Sequence, residues 1–173
     1  MAGNYPLMVG DVKVHSSEAF YQAMRFPHLP DFQKQIIEMR NALHAKRFSY
    51  TAIEESRPDW KSINIAVMRH ALELKFASNQ EKITRLMKDT DDLPIVEISK
   101  RDAFWGANPS GELLVGENIL GRLLMELRVK VLDHRPGDVI DVAAPSIEPY
   151  LLLGEPVGDL QFLPQEVEQP ELF

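Results

Sequence analysis

Of the side chains able to act as acid, base or nucleophile, this sequence offers carboxylates, lysines and arginines, and it contains no cysteine. Cysteine nucleophiles, thiolate metal sites and disulfides are therefore excluded. The five histidines, His15, His28, His44, His70 and His134, fall at no metal-ligand spacing, and no HExxH pair accompanies them. No nucleophile elbow, Walker loop or strand-embedded GxGxxG is present either. The expected chemistry thus uses neither metal nor cofactor, and four places could supply it. Glu18 opens a helix, Lys46-Arg47 follows one, and Arg57 stands in Arg57-Pro58-Asp59-Trp60. Each also has a plain structural role open to it: an acid near a helix start, bases near a helix end, an arginine fixing a turn. The fourth place is Asp102-Ala103-Phe104-Trp105-Gly106, followed by Gly111, Gly116, Asn118 and Gly121. A large aromatic pair in a glycine-punctuated loop is poor core material, since loops run over the surface and glycines let a backbone approach something closely. The indole offers a flat face to a base or sugar, and the helix start that follows offers N–H groups to an anion such as phosphate. The plainer reading is that Trp105 caps a small core.

These residues must be held by a mainly helical α+β domain with a few short strands. Leu7 to Val14 alternates around Gly10-Asp11, which predicts a short hairpin. Ser16 or Ser17 caps a helix carrying Glu18, Phe20, Tyr21, Met24 and Arg25 and ending before Pro27. Pro30 starts a helix expected to run from Asp31 to about Ala45, with Phe32, Ile36, Ile37, Met39 and Leu43 on one face. Asp59 precedes a long amphipathic helix to about Ala77, whose Ile65, Met68, Leu72 and Phe76 recur at core spacing. A shorter helix spans Gln80 to Lys88. Pro94 to Ile98 reads as a buried strand, residues 99 to 117 as the loop, and Glu117 to about Leu132 as a last helix with a leucine stripe.

The formal charge of −7 lies entirely in the tail. From His134 onward there are eight acidic residues and one basic, Arg135, together with six of the twelve prolines, so residues 1–133 are electrically neutral. This composition change divides the chain into a domain over 1–133 and an acidic, proline-rich extension over 134–173. The extension's apolar islands fit a wrap packed on the core, and its charge fits an arm for a protein partner or a nucleic-acid mimic. No apolar run approaches a membrane span and Met1 to Gly10 lacks a signal-peptide pattern, so a cytoplasmic protein without membrane association is expected.

Taken in order, these segments resemble the NADAR, or YbiA-like, family of N-glycosidases acting on ribosylated amines or ADP-ribose adducts. Asn4-Tyr5-Pro6 is similar to the end of its SNFYP element, and Ser17 to Ala23 to its SxEHAYQA helix. Ala45-Lys46 resembles its AK step, Arg57 to Trp60 its RPDW, and Met68-Arg69, Ala71-Leu72 and Lys75-Phe76 its MRxALxxKF helix. The aromatic loop, with Asn118 to Met125, resembles its DxFWG…NxLGxLLM signature. The likeness covers roughly residues 4 to 132. It departs from the family where the usual EH pair reads Glu18-Ala19, which removes any role for that histidine. The chain also starts where the family already has a strand and loop, which implies that part of the usual site wall is absent or replaced.

The resemblance implies cleavage of a ribose C1–N bond through an oxocarbenium-like state, which needs a carboxylate near C1 and help for the departing base. Glu18 is the implied carboxylate, activating water or protonating the leaving nitrogen. Lys46 is implied as a phosphate ligand or, if neutral, as a nucleophile that forms an imine with the opened sugar. Tyr21 and Trp105, beside Phe104 and Gly106, are expected to sandwich the base or ribose. Asn118 and Asp102 are expected to bind hydroxyls or orient the loop, and Arg57 with the helix start at Gly121 to hold phosphate. The implied guest is an ADP-ribosylated base, guanine in nucleic acid above all, or a ribosylated small molecule such as a phosphoribosylaminopyrimidine. A non-catalytic module binding ADP-ribose is the alternative of a different class.

Overall fold

The computed structural model describes residues 5–164. Leu7–Val9 (β1) and Val12–Val14 (β2) pair antiparallel across a turn in which Gly10 takes φ +57°, a conformation cheap only for glycine. Ser16 then caps Ser17–Ala23 (α1) by accepting a hydrogen bond from the N–H of Ala19 at 3.0 Å. This helix is short because Pro27 follows, and its buried Ala19, Phe20 and Ala23 place it in the middle of the core.

The helix expected over 31–45 is two helices, Pro30–Ile37 (α2) and Ala42–Ser49 (α3). The break has a local cause: Asn41 leaves helical geometry and its side chain caps α3, accepting from Leu43 and His44 N–H. An Asx cap starts a new helix more cheaply than the old one can continue through it. A ladder of rings, Phe26 on Phe32 at 5.0 Å and Phe32 on Phe48 at 4.8 Å, clamps α2 and α3 to the end of α1. A 3-10 stretch, Tyr50–Glu55, leads to the long helix Trp60–Ala77 (α4) and then to Gln80–Lys88 (α5).

Residues 94–98 are not a buried strand. They are largely exposed and form only one bridge, Ile98 with Ala107. In place of a partner strand they meet the side chain of Asn118, whose Oδ1 accepts from Glu97 N–H at 3.0 Å and whose Nδ2 donates to the Ile95 carbonyl at 2.9 Å. Within the loop, Asn108–Ser110 (β3) and Leu113–Val115 (β4) form an exposed hairpin that the sequence reading left irregular. The last helix, Ile119–Asp133 (α6), packs Leu123, Leu124, Leu127 and Val131 against α4 and α5. Fully burying such a side chain contributes about 1.5–3 kcal/mol.

The described part of the extension, 134–164, carries Ile140–Val142 (β5) paired with Leu160–Phe162 (β8), and Leu151–Leu152 (β6) paired with Glu155–Pro156 (β7). It is packed on the core. The fully buried Gln33 donates to the carbonyls of Ala23 and Leu151 and accepts from Leu153 N–H. Buried His70 meets the Tyr150 hydroxyl at 2.7 Å through Nδ1. The last stretch of the extension, 165–173 with Glu166, Glu168 and Glu171, lies outside the described residues, as does Asn4. The fold is α+β and mainly helical. Among the described residues no helix is long and apolar enough to cross a membrane.

Candidate active site

Glu18 projects from the first turn of α1 into a cleft walled by α1, α3, α4 and the loop before α6. Its carboxylate is aimed by a relay of neutral groups. Ser49 of α3 donates to Gln22 Oε1 at 2.8 Å, and Gln22 Nε2 donates to Glu18 Oε1 at 2.9 Å. Gln22 is buried, so the relay fixes the rotamer of Glu18 where its side chain lines the cleft.

The cleft has two lobes. The smaller, about 200 Å³, is walled by Tyr21, Arg25, Tyr50, Trp105 and the polar heads of Ser99 and Asp102. The larger, about 330 Å³, is walled mainly by Tyr5, Leu43, Leu72 and Lys75. Glu18, Lys46, Met68, Glu97 and Leu120 line both, so Glu18 and Lys46 stand at the waist. Lys75 lies in contact with the Tyr5 ring, 4.8 Å from its centroid, and burial lowers its pKa to about 8.

Trp105 and Tyr21 both reach the smaller lobe, but they do not form a slot. Their centroids are 5.6 Å apart with planes at 80°, so the indole and the phenol touch edge to face and no ring fits between them. Tyr21 also packs on Trp60 at 4.9 Å. Burial pushes its phenol up out of the titrating range, opposed by the Arg25 guanidinium beside it.

The aromatic loop is fixed by its own backbone. Asp102 Oδ1 accepts from the N–H groups of Phe104 and Trp105, at 3.1 and 2.9 Å. The N–H groups of Glu117, Asn118, Ile119 and Leu120 donate to the carbonyls of Ala103, Gly106, Phe104 and Trp105. The start of α6 is therefore already occupied by carbonyls, which corrects the expectation of a phosphate there. Gly121 serves packing instead, since a Cβ would stand 2.2 Å from the Ile95 carbonyl. Gly106 is equally tight, 2.4 Å from the Glu97 carbonyl. Asn118, at φ +50°, holds residues 95–97 and does not line the cleft. Phe104 stands outside it, exposed, with its ring on the edge of Trp105 at 5.3 Å.

Arg57 is the second correction. It is buried and lines neither lobe. Its guanidinium donates to both Asp59 carboxylate oxygens, at 2.6 and 3.0 Å, and to the carbonyls of Pro149 and Glu148 at 2.6 and 3.1 Å. Its donors hold the extension rather than a phosphate. The residues brought together are thus Glu18, Tyr21, Lys46, Asp102, Trp105 and Gly106. Missed by the sequence reading were Gln22, Arg25, Tyr50 and Glu97. For Gln22 and Arg25 a signal existed, because they lie four and seven residues beyond Glu18, the first on its helix face and the second just past the helix end on the same side of the cleft.

Residues 3–132 match the family model described as the NADAR domain. This chain belongs to the NADAR family. Among its relatives, the N-glycosidase YbiA of Escherichia coli (strain K12) is 32% identical over 72% of this chain and 74% of that protein. The NMR structure of E. coli YbiA matches with a TM-score of 0.63 at 30% identity, covering 76% of this chain and 78% of that one. A riboflavin biosynthesis protein of Vibrio vulnificus (strain YJ016) is 34% identical over 72% of this chain, and the chloroplastic riboflavin biosynthesis protein PYRR of Zea mays is 36% identical over 69%. The matches span only 33% and 20% of those two longer proteins. The NADAR match ends just before the extension that Arg57 holds. Among the described residues no cluster of His, Asp and Glu is arranged to hold a metal ion.

Proposed function

We propose that this chain is an N-glycosidase that hydrolyses a ribose C1–N bond, and that its substrate is ADP-ribosylated guanine in nucleic acid, from which it removes the ADP-ribose. The observation that carries the reading is the placement of Glu18 and Lys46 at the waist between two lobes, where a bond joining a sugar to a base would lie. Breaking that bond builds positive charge at C1 and the ring oxygen, and a positioned carboxylate stabilises it. Phe104, exposed beside Trp105, offers a face on which a neighbouring base of a polynucleotide would stack.

Two routes use this pair. In one, Glu18 takes a proton from water, the water oxygen bonds to C1, and the C1–N electrons pass to the base nitrogen, which is then protonated. In the other, the amine of Lys46, having first given up its proton, attacks C1, the base departs with a proton, and the sugar opens to an imine that water hydrolyses to return the lysine. Borohydride reduction during turnover separates them. Sugar trapped on Lys46 supports the imine, whereas no adduct together with an active Lys46→Ala variant supports water.

A second reading has specific support: the names of the Vibrio and maize relatives favour a ribosylaminopyrimidine of riboflavin synthesis as the substrate. Mass spectrometry of the protein incubated with an ADP-ribosylated guanine oligonucleotide, and in parallel with a phosphoribosylaminopyrimidine, decides between the two. Release of free ADP-ribose from the first supports the proposal. Release of base from the second alone moves it to the pyrimidine, and binding of either without cleavage ends the enzyme reading in favour of a binding module.

A further inference from the structure

Arg25 has no part in the chemistry above, yet it is built into the wall of the smaller lobe. It is 6% exposed, and its Nε has no hydrogen-bond partner among the described residues. The guanidinium carbon lies 4.9 Å from the Trp60 ring centroid and 5.4 Å from that of Tyr50. The Tyr21 hydroxyl hydrogen-bonds to the guanidinium, whereas the faces of Trp60 and Tyr50 stabilise its charge but satisfy none of its N–H directions. A buried cation held this way has an open demand for an anionic acceptor.

Its placement just past the end of α1 supplies the geometry. Glu18, Tyr21, Gln22 and Arg25 are spaced i, i+3, i+4 and i+7 and all line the smaller lobe. Arg25 follows the C-cap Met24 and its N–H closes one more turn on the Gln22 carbonyl at 3.3 Å, so it stands at the far end of α1 from Glu18, roughly 10 Å away at 1.5 Å of rise per residue. That separation leaves room for one ribose 5-phosphate, its C1 at the carboxylate and its phosphate at the guanidinium. The nearby acids do not cancel the cation. Asp102 is turned into its own loop, and Glu97 is exposed at the waist. The larger lobe carries Lys75 and shares Lys46 with the smaller, and the rest of its wall, Tyr5, Leu43, Met68, Leu72 and Leu120, is apolar and suits a flat base.

We propose that the smaller lobe is a subsite for the 5-phosphate of the ribose whose C1–N bond is broken, with Arg25 as its phosphate-binding residue, and that the larger lobe receives the departing base. This rests on the N-glycosidase reading for the direction of the substrate. A 5-phosphate is shared by both substrate classes, as one half of the diphosphate in an ADP-ribosyl group or as a monoester in a phosphoribosylamine.

The test is a calorimetric titration of the full chain with ribose, ribose 5-phosphate and ADP-ribose. Wild type is expected to bind ribose 5-phosphate at least about tenfold more tightly than ribose. Arg25→Gln should lose about 10- to 100-fold for ribose 5-phosphate and little for ribose, with Arg25→Lys in between. A wild-type protein with no preference for ribose 5-phosphate over ribose overturns the subsite without recourse to any variant. So does an Arg25→Gln protein that loses the same factor for both sugars. Tighter binding of ADP-ribose than of ribose 5-phosphate identifies the diphosphate as the source, and the reverse identifies the monoester. The two readings fail separately. Arg25-dependent binding of ribose 5-phosphate without base release from either substrate ends the glycosidase reading and keeps the subsite. Base release undiminished in Arg25→Gln does the opposite.

Discussion

Arg25 and Arg57 are buried to the same degree, 6% and 5% exposed, and are joined through the main chain, where Arg57 N–H donates to the Arg25 carbonyl at 3.0 Å. Their heads live in opposite surroundings. Arg57 reaches one carboxylate and two carbonyls and fastens the extension to the core. Arg25 reaches three aromatic side chains and faces a cleft. Burial alone therefore says nothing about whether an arginine serves the fold or a guest. The inventory of acceptors does, because a saturated guanidinium has little left to offer a phosphate.

The comparison can be broken at several points. The largest effect is expected from Glu18→Gln, on the same face of the cleft as Arg25. It should lower kcat for base release by about 10²- to 10⁴-fold while leaving the melting temperature unchanged, since the amide keeps the shape of the acid. Unchanged turnover would remove that face from catalysis. Arg57→Ala should behave in the reverse manner, losing roughly 2–4 kcal/mol of stability, or about 5–15 °C in Tm. Its ratio of affinities for ribose 5-phosphate and ribose should stay as in wild type. A lost phosphate preference in this variant would return Arg57 to the site.

The extension's other anchor predicts a pH effect. Burial lowers the pKa of His70 to about 4 from an ordinary 6.5, so the unfolded chain takes up a proton that the folded one refuses. Stability from this group is complete above pH 6.5 and is lost as pH falls from 6.5 to 4, a total of roughly 3 kcal/mol. Denaturant midpoints across that window should fall in wild type and fall less in His70→Gln. The smallest effect concerns Asp59, whose carboxyl the Arg57 hydrogen bond holds below the usual 3.8. Its contribution is present above pH 3.8 and is lost as pH falls through the lowered value. Being partly exposed, it should cost under about 1 kcal/mol when changed to Asn at neutral pH. Below that range the two proteins should converge.

The parts of this fold legible in the sequence were those written in local periodicity. The stripe Leu123, Leu124, Leu127 and Val131 marked a buried helix face, and the pair Ser16-Ser17 marked where α1 begins, with Ser16 as the cap. Glu18, Lys46, Asp102 and Trp105 were named for the cleft and do line it. What escaped were contacts made by groups that leave no pattern. Asn118 replaces a strand for residues 95–97 with one side-chain amide, so a β-branched run carried no sheet. Arg57 was misplaced because two of its acceptors are main-chain carbonyls some ninety residues away, and every residue has such a carbonyl. Arg25 was placed on the helix of Glu18 but not named for the cleft, although its spacing from Glu18 was there to be counted.

The welding of the aromatic loop to α6 has a consequence for how this domain can change. Ala107 exchanges backbone hydrogen bonds with Glu97 and Ser99, and Gly116 lies tight against the backbone of Ala103, Gly106 and Ala107. Between these two fixed points the exposed β3–β4 hairpin hangs as a free excursion. Lengthening it costs only slowly growing loop entropy, so the segment can be shortened, extended or exchanged while Trp105 keeps its place. The platform that shapes the cleft and the stretch of chain open to insertion are neighbours in sequence but independent in structure.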